Sequence, residues 1–111
     1  VTFGERLRQI RKERKVSQRA LADMVNIDFT YISKIESGRQ APPSAVVIRH
    51  IAQALQTDES ELYYLSGKVP ADLEPALKEN PLLTELVCLL AQHRLSDGTY
   101  HAMIEMVQEW D

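Results

Sequence analysis

Between Gln18 and Ser37 the sequence reads QRALADMVNIDFTYISKIES, and its small, apolar and turn-forming residues fit two short helices crossing at close range. Leu21 and Val25 lie four apart, the spacing of one apolar helix face. Ala22, beside them, is small enough to let a second helix approach. Asn26 falls where that face ends, and asparagine is one of the few non-glycine residues that accepts a left-handed backbone, so the first helix stops there. Asp28 then offers a carboxylate oxygen to the unpaired N–H groups of a new helix. Ile32 and Ile35 of that helix turn inward to meet Leu21 and Val25.

The flanking sequence supplies three more helices. Thr2 followed by Glu5 is a capping-box pattern, opening a helix in which Phe3, Leu7 and Ile10 share a face. Ser17 is placed to cap the second helix, and Gly38 to end the third in a left-handed turn that exposes Arg39 and Gln40. Pro42 and Pro43 precede Ser44, the cap expected for a fourth helix with an apolar stripe of Ile48, Ile51, Ala52 and Leu55. Asp58 and Glu61 repeat the capping-box pattern for a fifth, which carries Leu62 and Leu65 and stops at Ser66–Gly67. The expected fold is all-α, with a five-helix domain over residues 1–66.

With these elements in order, the chain resembles the lambda-repressor-like (Xre-type) helix-turn-helix family from about Phe3 to Leu65. Four separated motifs carry the likeness: RLRQIRKERKVSQRALA, ISKIESGR, the following PPS, and DESELYYL. Asn26 departs from the family, which usually has glycine there, but both residues tolerate the left-handed region. The resemblance implies a double-stranded-DNA-binding transcription regulator whose third helix, about residues 28–37, reads an operator.

On that reading the first, second and sixth positions of the third helix touch base edges, which assigns base reading to Phe29, Thr30 and Lys34. Their chemistry suits the role. Lys34 can donate to guanine O6 and N7, Thr30 can donate or accept, and Phe29 or the Thr30 methyl can pack on a thymine methyl. Phe29 equally fits an aromatic at the edge of the core, three residues before Ile32. Gln18 resembles the family residue that bonds a phosphate and braces the recognition helix. Arg19, Ser33, Arg39 and Gln40 are the further phosphate candidates, which would set affinity and register rather than sequence choice; each arginine could instead be a solvated charge. Arg8, Lys12 and Lys15 are read as solvated charges that strengthen the field. Arg11 and Glu36 match family residues that pair across the first and third helices; the alternative is two exposed charges.

Residues 67–111 lie outside the resemblance and form a second module. Val69–Pro70 and Pro75 interrupt the chain, and Asn80–Pro81 then opens a helix expected to run to about His93. It crowds Leu82, Leu83, Leu86, Val87, Leu89 and Leu90 into nine residues, more apolar surface than a solvent-facing helix carries, so cover on more than one side is expected. Ser96 caps a last helix in which Tyr100, Met103, Ile104, Val107 and Trp110 recur three and four apart. The expected product is a helical hairpin too small for a core of its own. Its surplus surface is read as a homodimer interface formed by Leu82, Leu83, Leu86, Val87, Leu90, Met103, Ile104, Val107 and Trp110. The alternative is that the hairpin folds back on the first five helices.

Charge divides at the same place. Residues 1–66 carry ten Lys or Arg against eight Asp or Glu, whereas residues 67–111 carry three against eight. Within residues 1–40 the balance is nine to five, so the positive field is concentrated around the crossed helices. The content of 44% hydrophobic and 26% charged residues is that of a folded globular chain. No apolar run approaches the roughly 20 residues that cross a bilayer, which with the amphipathic start gives a cytoplasmic expectation without a membrane partner. The chain begins at Val1 rather than Met, leaving room for a short N-terminal arm. Cys88, inside LVCLLA, is expected to be a small core hydrophobe rather than a redox sensor, and the three histidines show no metal-site spacing. With no phosphate loop, nucleophile elbow or triad spacing, neither enzymatic activity nor a cofactor is expected. The sequence therefore points to a homodimeric repressor reading a pseudo-palindromic operator. The competing reading is an antitoxin or other interaction protein whose C-terminal module binds a second protein.

Overall fold

The computed structural model describes residues 1–110, and its secondary structure there is entirely helical. Two compact units divide the chain, the first spanning Val1–Val69 and the second beginning at Pro70. The first unit extends past Ser66 because the Tyr63 hydroxyl donates to the Val69 carbonyl at 3.0 Å.

Five helices build the first unit: α1 (Phe3–Glu13), α2 (Gln18–Val25), α3 (Phe29–Glu36), α4 (Ala45–Ala54) and α5 (Glu59–Leu65). Most of their boundaries are made by local side-chain chemistry. Thr2 and Glu5 form a full capping box at α1, and Ser17, Asp28 and Ser44 accept from the N–H groups of Ala20, Thr30 and Val47. Asn26 ends α2 at φ 57° and ψ 48°, in the left-handed region. Gly38, at φ 80°, turns the chain after α3 so that the N–H groups of Arg39 and Gln40 both donate to the Lys34 carbonyl. At α5 only half of the expected box forms. Asp58 accepts from the Ser60 N–H, whereas Glu61 turns away to pair with Arg6 of α1. A charged hydrogen bond to a guanidinium outweighs one to a backbone N–H.

Leu7, Ile10, Leu21, Ile32, Ile35, Ile48, Ile51, Leu55 and Leu62 are completely buried in one core. Each such side chain is worth about 1.5–3 kcal/mol relative to exposure. Through this core α1 packs on α3 and α5, α2 on α3 and α4, and α4 on α5. Arg14 adds a polar fastening, donating from Nε to the Leu55 carbonyl at 2.9 Å and from Nη2 to the Gln56 carbonyl at 3.0 Å. A cation at the C-terminus of α4 also complements the helix dipole.

Gly4 marks the closest approach. A Cβ placed there would lie 2.4 Å from the Ile35 carbonyl oxygen and 2.7 Å from that of Glu36, so α1 meets the end of α3 backbone to backbone. Alanine normally stabilises a helix relative to glycine, by roughly 1 kcal/mol. Gly4→Ala should do the reverse and cost about 1–3 kcal/mol, the usual range for overpacking. Urea unfolding checks this, and a mutant as stable as the parent would show that the two helices separate freely.

The second unit contains α6 (Leu73–Glu79), α7 (Pro81–His93) and α8 (Asp97–Gln108). Helix α6 corrects the expectation that Pro75 interrupts the chain. Pro75 occupies the third helical position, where a backbone N–H has no intrahelical partner to lose, so proline begins the helix instead of breaking it. Asn80 caps α7 by accepting from the Leu83 N–H, with Pro81 in the first turn. The Thr84 hydroxyl donates to the Leu77 carbonyl at 2.8 Å and so ties α7 to α6. A left-handed Arg94 ends α7, and Ser96 caps α8. Trp110 falls beyond α8, its N–H donating to the Val107 carbonyl at 3.0 Å.

The hairpin of α7 and α8 is open. The helices meet near their joint, where the Tyr100 hydroxyl donates to the Leu90 carbonyl at 3.4 Å, while the helix packed along α7 is α6. Leu83, Leu90 and Met103 are half-buried, whereas Leu82, Leu86, Val87, Ile104, Val107 and Trp110 are exposed. Leu89 is exposed as well. Cys88 is exposed too, which corrects its reading as a core hydrophobe. The leucines and valines of α7 spread over about half of the helix circumference, and the α6 contact covers only part of that broad face. Among the described residues no helix is long and apolar enough to cross a membrane, and no group of three or more His, Cys, Asp or Glu could hold a metal ion.

Candidate nucleic-acid interface

Helix α3 is anchored by its inner face and open on its outer one. Ile32 and Ile35 are buried, Thr30 and Lys34 are exposed, and Ser33 lies between. Ser37 is exposed, but its hydroxyl donates to the Lys34 carbonyl at 3.1 Å and is thus engaged at the helix end. Arg39 and Gln40 follow on the exposed turn made by Gly38.

A polar cluster fixes α3 from behind. Arg11 of α1 donates from Nε to Glu36 Oε2 at 2.8 Å and from Nη2 to Glu36 Oε1 at 2.9 Å, the two-pronged geometry that suits guanidinium to carboxylate. Gln18, the first residue of α2, donates its amide to Glu36 Oε1 at 3.0 Å. Arg11 also donates from Nη1 to the Val16 carbonyl at 3.0 Å. One carboxylate therefore joins α1, α2 and α3. The side chains of Arg11 and Glu36 are only 10% and 3% exposed, so the desolvation of both charges is offset by these hydrogen bonds. The hydrogen bonds to Glu36, together with its charge, hold the Arg11 guanidinium above its ordinary range, against the opposing effect of burial.

Phe29 occupies the first turn of α3, half-buried, with its inner edge against the core. Over its ring, 4.4 Å from the centroid, lies the guanidinium of Arg19 from the first turn of α2. Arg8, Arg11, Ser17, Gln18, Arg19 and Phe29 line a shallow cleft. Arg8, read from sequence as a merely solvated charge, thus borders the same concave surface as Arg19. No spacing rule joins Arg8 to Phe29, because α1 and α3 are brought together only by the tertiary core.

Two braced helices, an exposed outer face on the second of them and a basic cleft at their N-terminal ends define a helix-turn-helix unit. Residues 4–68 match the family model described as a helix-turn-helix domain. The chain belongs to the lambda-repressor-like helix-turn-helix family of transcription regulators. It is 35% identical over 68 residues to the transcriptional repressor RghR of Bacillus subtilis strain 168, a match covering 61% of this chain and 50% of RghR. The uncharacterized regulator RghRB of the same strain is 29% identical over 109 residues, 98% of this chain and 78% of RghRB. The chain thus spans about half the length of the first of these relatives. Among solved structures, SinR, a master regulator for biofilm formation seen in complex with DNA, superposes with a TM-score of 0.53 at 29% identity, covering 56% of this chain and 98% of that one. The SinR/SinI complex extends the likeness in fold to 96% of this chain and 95% of that one, with a TM-score of 0.55 at 20% identity.

Proposed function

We propose that this chain is a sequence-specific, double-stranded-DNA-binding transcription repressor that acts in the cytoplasm as a homodimer. The observation that carries the reading is the contrast across α3: Glu36 is locked from behind by Arg11 and Gln18, while Thr30 and Lys34 stand free on the other side. A helix held this rigidly suits insertion into a major groove. Thr30, Lys34 and Phe29 read bases, and Arg19, Ser33, Arg39 and Gln40 hold phosphates. Gln18 serves chiefly as a brace, since one of its amide hydrogens is given to Glu36, leaving the second for a phosphate. RghR is a repressor and SinR has been seen on DNA, which supports the same role here.

The second copy docks through α7 and α8. Their open, exposed apolar faces favour a partner, and between Pro81 and Gln92 the only charged residue is Glu85, so the α7 helices of two copies can meet without strong repulsion while the carboxylates of α8 stay at the rim. A two-fold pair would present two α3 helices to half-sites roughly 34 Å apart. A different protein on this surface, as in the antitoxin reading, would leave the chain monomeric when alone.

Selection of bound duplexes from a random pool tests the whole reading. An enriched palindrome is expected, and enrichment of nothing would defeat it. On the enriched duplex, Lys34→Ala should cost about 1–3 kcal/mol and relax choice at one position of each half-site. Thr30→Ala should act likewise but more weakly. Arg39→Ala should weaken specific and scrambled duplexes about equally and make the salt dependence shallower by about one unit for each phosphate left without its cation. Equal losses on both duplexes for Lys34→Ala would make Lys34 a phosphate-binding residue.

A further inference from the structure

We infer that Arg19 is a specificity-positioning residue, which acts by clamping the Phe29 ring as a reader of a thymine methyl while its own N–H groups remain free for phosphate. The inference rests on the DNA-reading role of α3 and adds a unit that neither residue forms alone. Arg6, Arg11, Arg14 and Arg49 all have carboxylate or carbonyl partners. Among the described residues Arg8, Arg19, Arg39 and Arg94 have none, and of these Arg19 is the one whose guanidinium lies over an aromatic ring. A stacked guanidinium leaves its in-plane donors open, and those donors match a phosphate. Phe29 is held by the core on its inner edge and by Arg19 on one face. A ring fixed on two sides loses little freedom on docking, so its outer edge can distinguish a methyl group by packing.

A lysine at position 19 would keep the charge and lose the planar guanidinium that lies over the ring. This separates positioning from electrostatics. The probe is the duplex enriched from the random pool, compared with duplexes in which each half-site thymine is replaced in turn by deoxyuridine. Parent protein should bind about fourfold more weakly when the methyl under Phe29 is removed, the value of one buried methyl group. In Arg19→Lys that ratio should shrink towards one, with total affinity down about two- to fivefold and the salt dependence unchanged. Phe29→Ala should abolish the ratio at the same thymine. The inference is overturned if Arg19→Lys retains the parent's ratio, if Phe29→Ala does, or if the parent distinguishes no thymine from deoxyuridine. Should the parent enrich no duplex, the DNA-reading role itself falls, an outcome distinct from tight binding with an unaltered ratio.

Discussion

Glu36→Ala should destabilise the full chain by about 3–5 kcal/mol, because it leaves Arg11 buried without its counter-charge. The carboxylate receives three hydrogen bonds, two from Arg11 and one from Gln18, and no other carboxylate pairs with Arg11 among the described residues. Most of the loss comes from the orphaned guanidinium rather than from the attraction of the pair, which makes a specific expectation for the double mutant. Arg11→Met combined with Glu36→Ala should be more stable than Glu36→Ala alone, since removing the second charge relieves the desolvation left by the first change. Urea unfolding of the parent, the single mutant and the double mutant measures this. A single-mutant loss under about 1 kcal/mol would place the pair with exposed ion pairs and remove the brace on α3.

Much of this first unit was legible in the sequence because its boundaries are local. The caps at Thr2, Ser17, Asp28 and Ser44 close over two or three residues, and the left-handed turns at Asn26 and Gly38 follow from the residue type at one position. Helix periodicity likewise marks Leu7, Ile10, Leu21, Ile32 and Ile35 as inward-facing, and they are buried. What sequence reading missed involves partners far apart in the chain. Gly4 is glycine because of carbonyls 31 and 32 positions later, and nothing near it signals that approach. Glu61 looks like half of a capping box until folding brings Arg6 beside it. Arg14 gives no sign that it closes the end of α4.

The second unit was harder to read for a different reason. Pro75 breaks a helix in mid-span but not in its first turn, and the sequence alone did not say where α6 began. In the run LLTELVCLLA the leucines and valines spread over about half of the helix circumference, too broad an arc for periodicity to choose which part of it is buried. The structure leaves most of that run open, Cys88 included. The surface chemistry of α3 lies between these cases. Thr30 and Lys34 follow from helical spacing once Ile32 and Ile35 are placed inward, while the stacking of Arg19 on Phe29 depends on how α2 and α3 cross.

Leu86→Glu should convert the chain to a monomer and lower its affinity for a two-half-site operator by about 10²–10⁴, the advantage that disappears when the second half-site is no longer engaged as an intramolecular event. Leu86 is 52% exposed on α7, with Val87 and Leu89 exposed beside it. In a two-fold interface each substitution enters twice, so two carboxylates would be buried with no cation on that stretch of α7 to receive them. The change alters no residue of the first unit, so binding to a single half-site should stay near its parental value. That separates failed pairing from damaged reading. Met24→Glu is the matched control, because Met24 is also exposed and apolar but belongs to α2; it should leave the assembly state unaltered. Light scattering gives the mass, and titrations on duplexes with one or two half-sites give the affinities. A Leu86→Glu protein that stays dimeric, or that loses single-site and double-site binding in equal measure, would take pairing away from α7 and return that surface to a different protein partner.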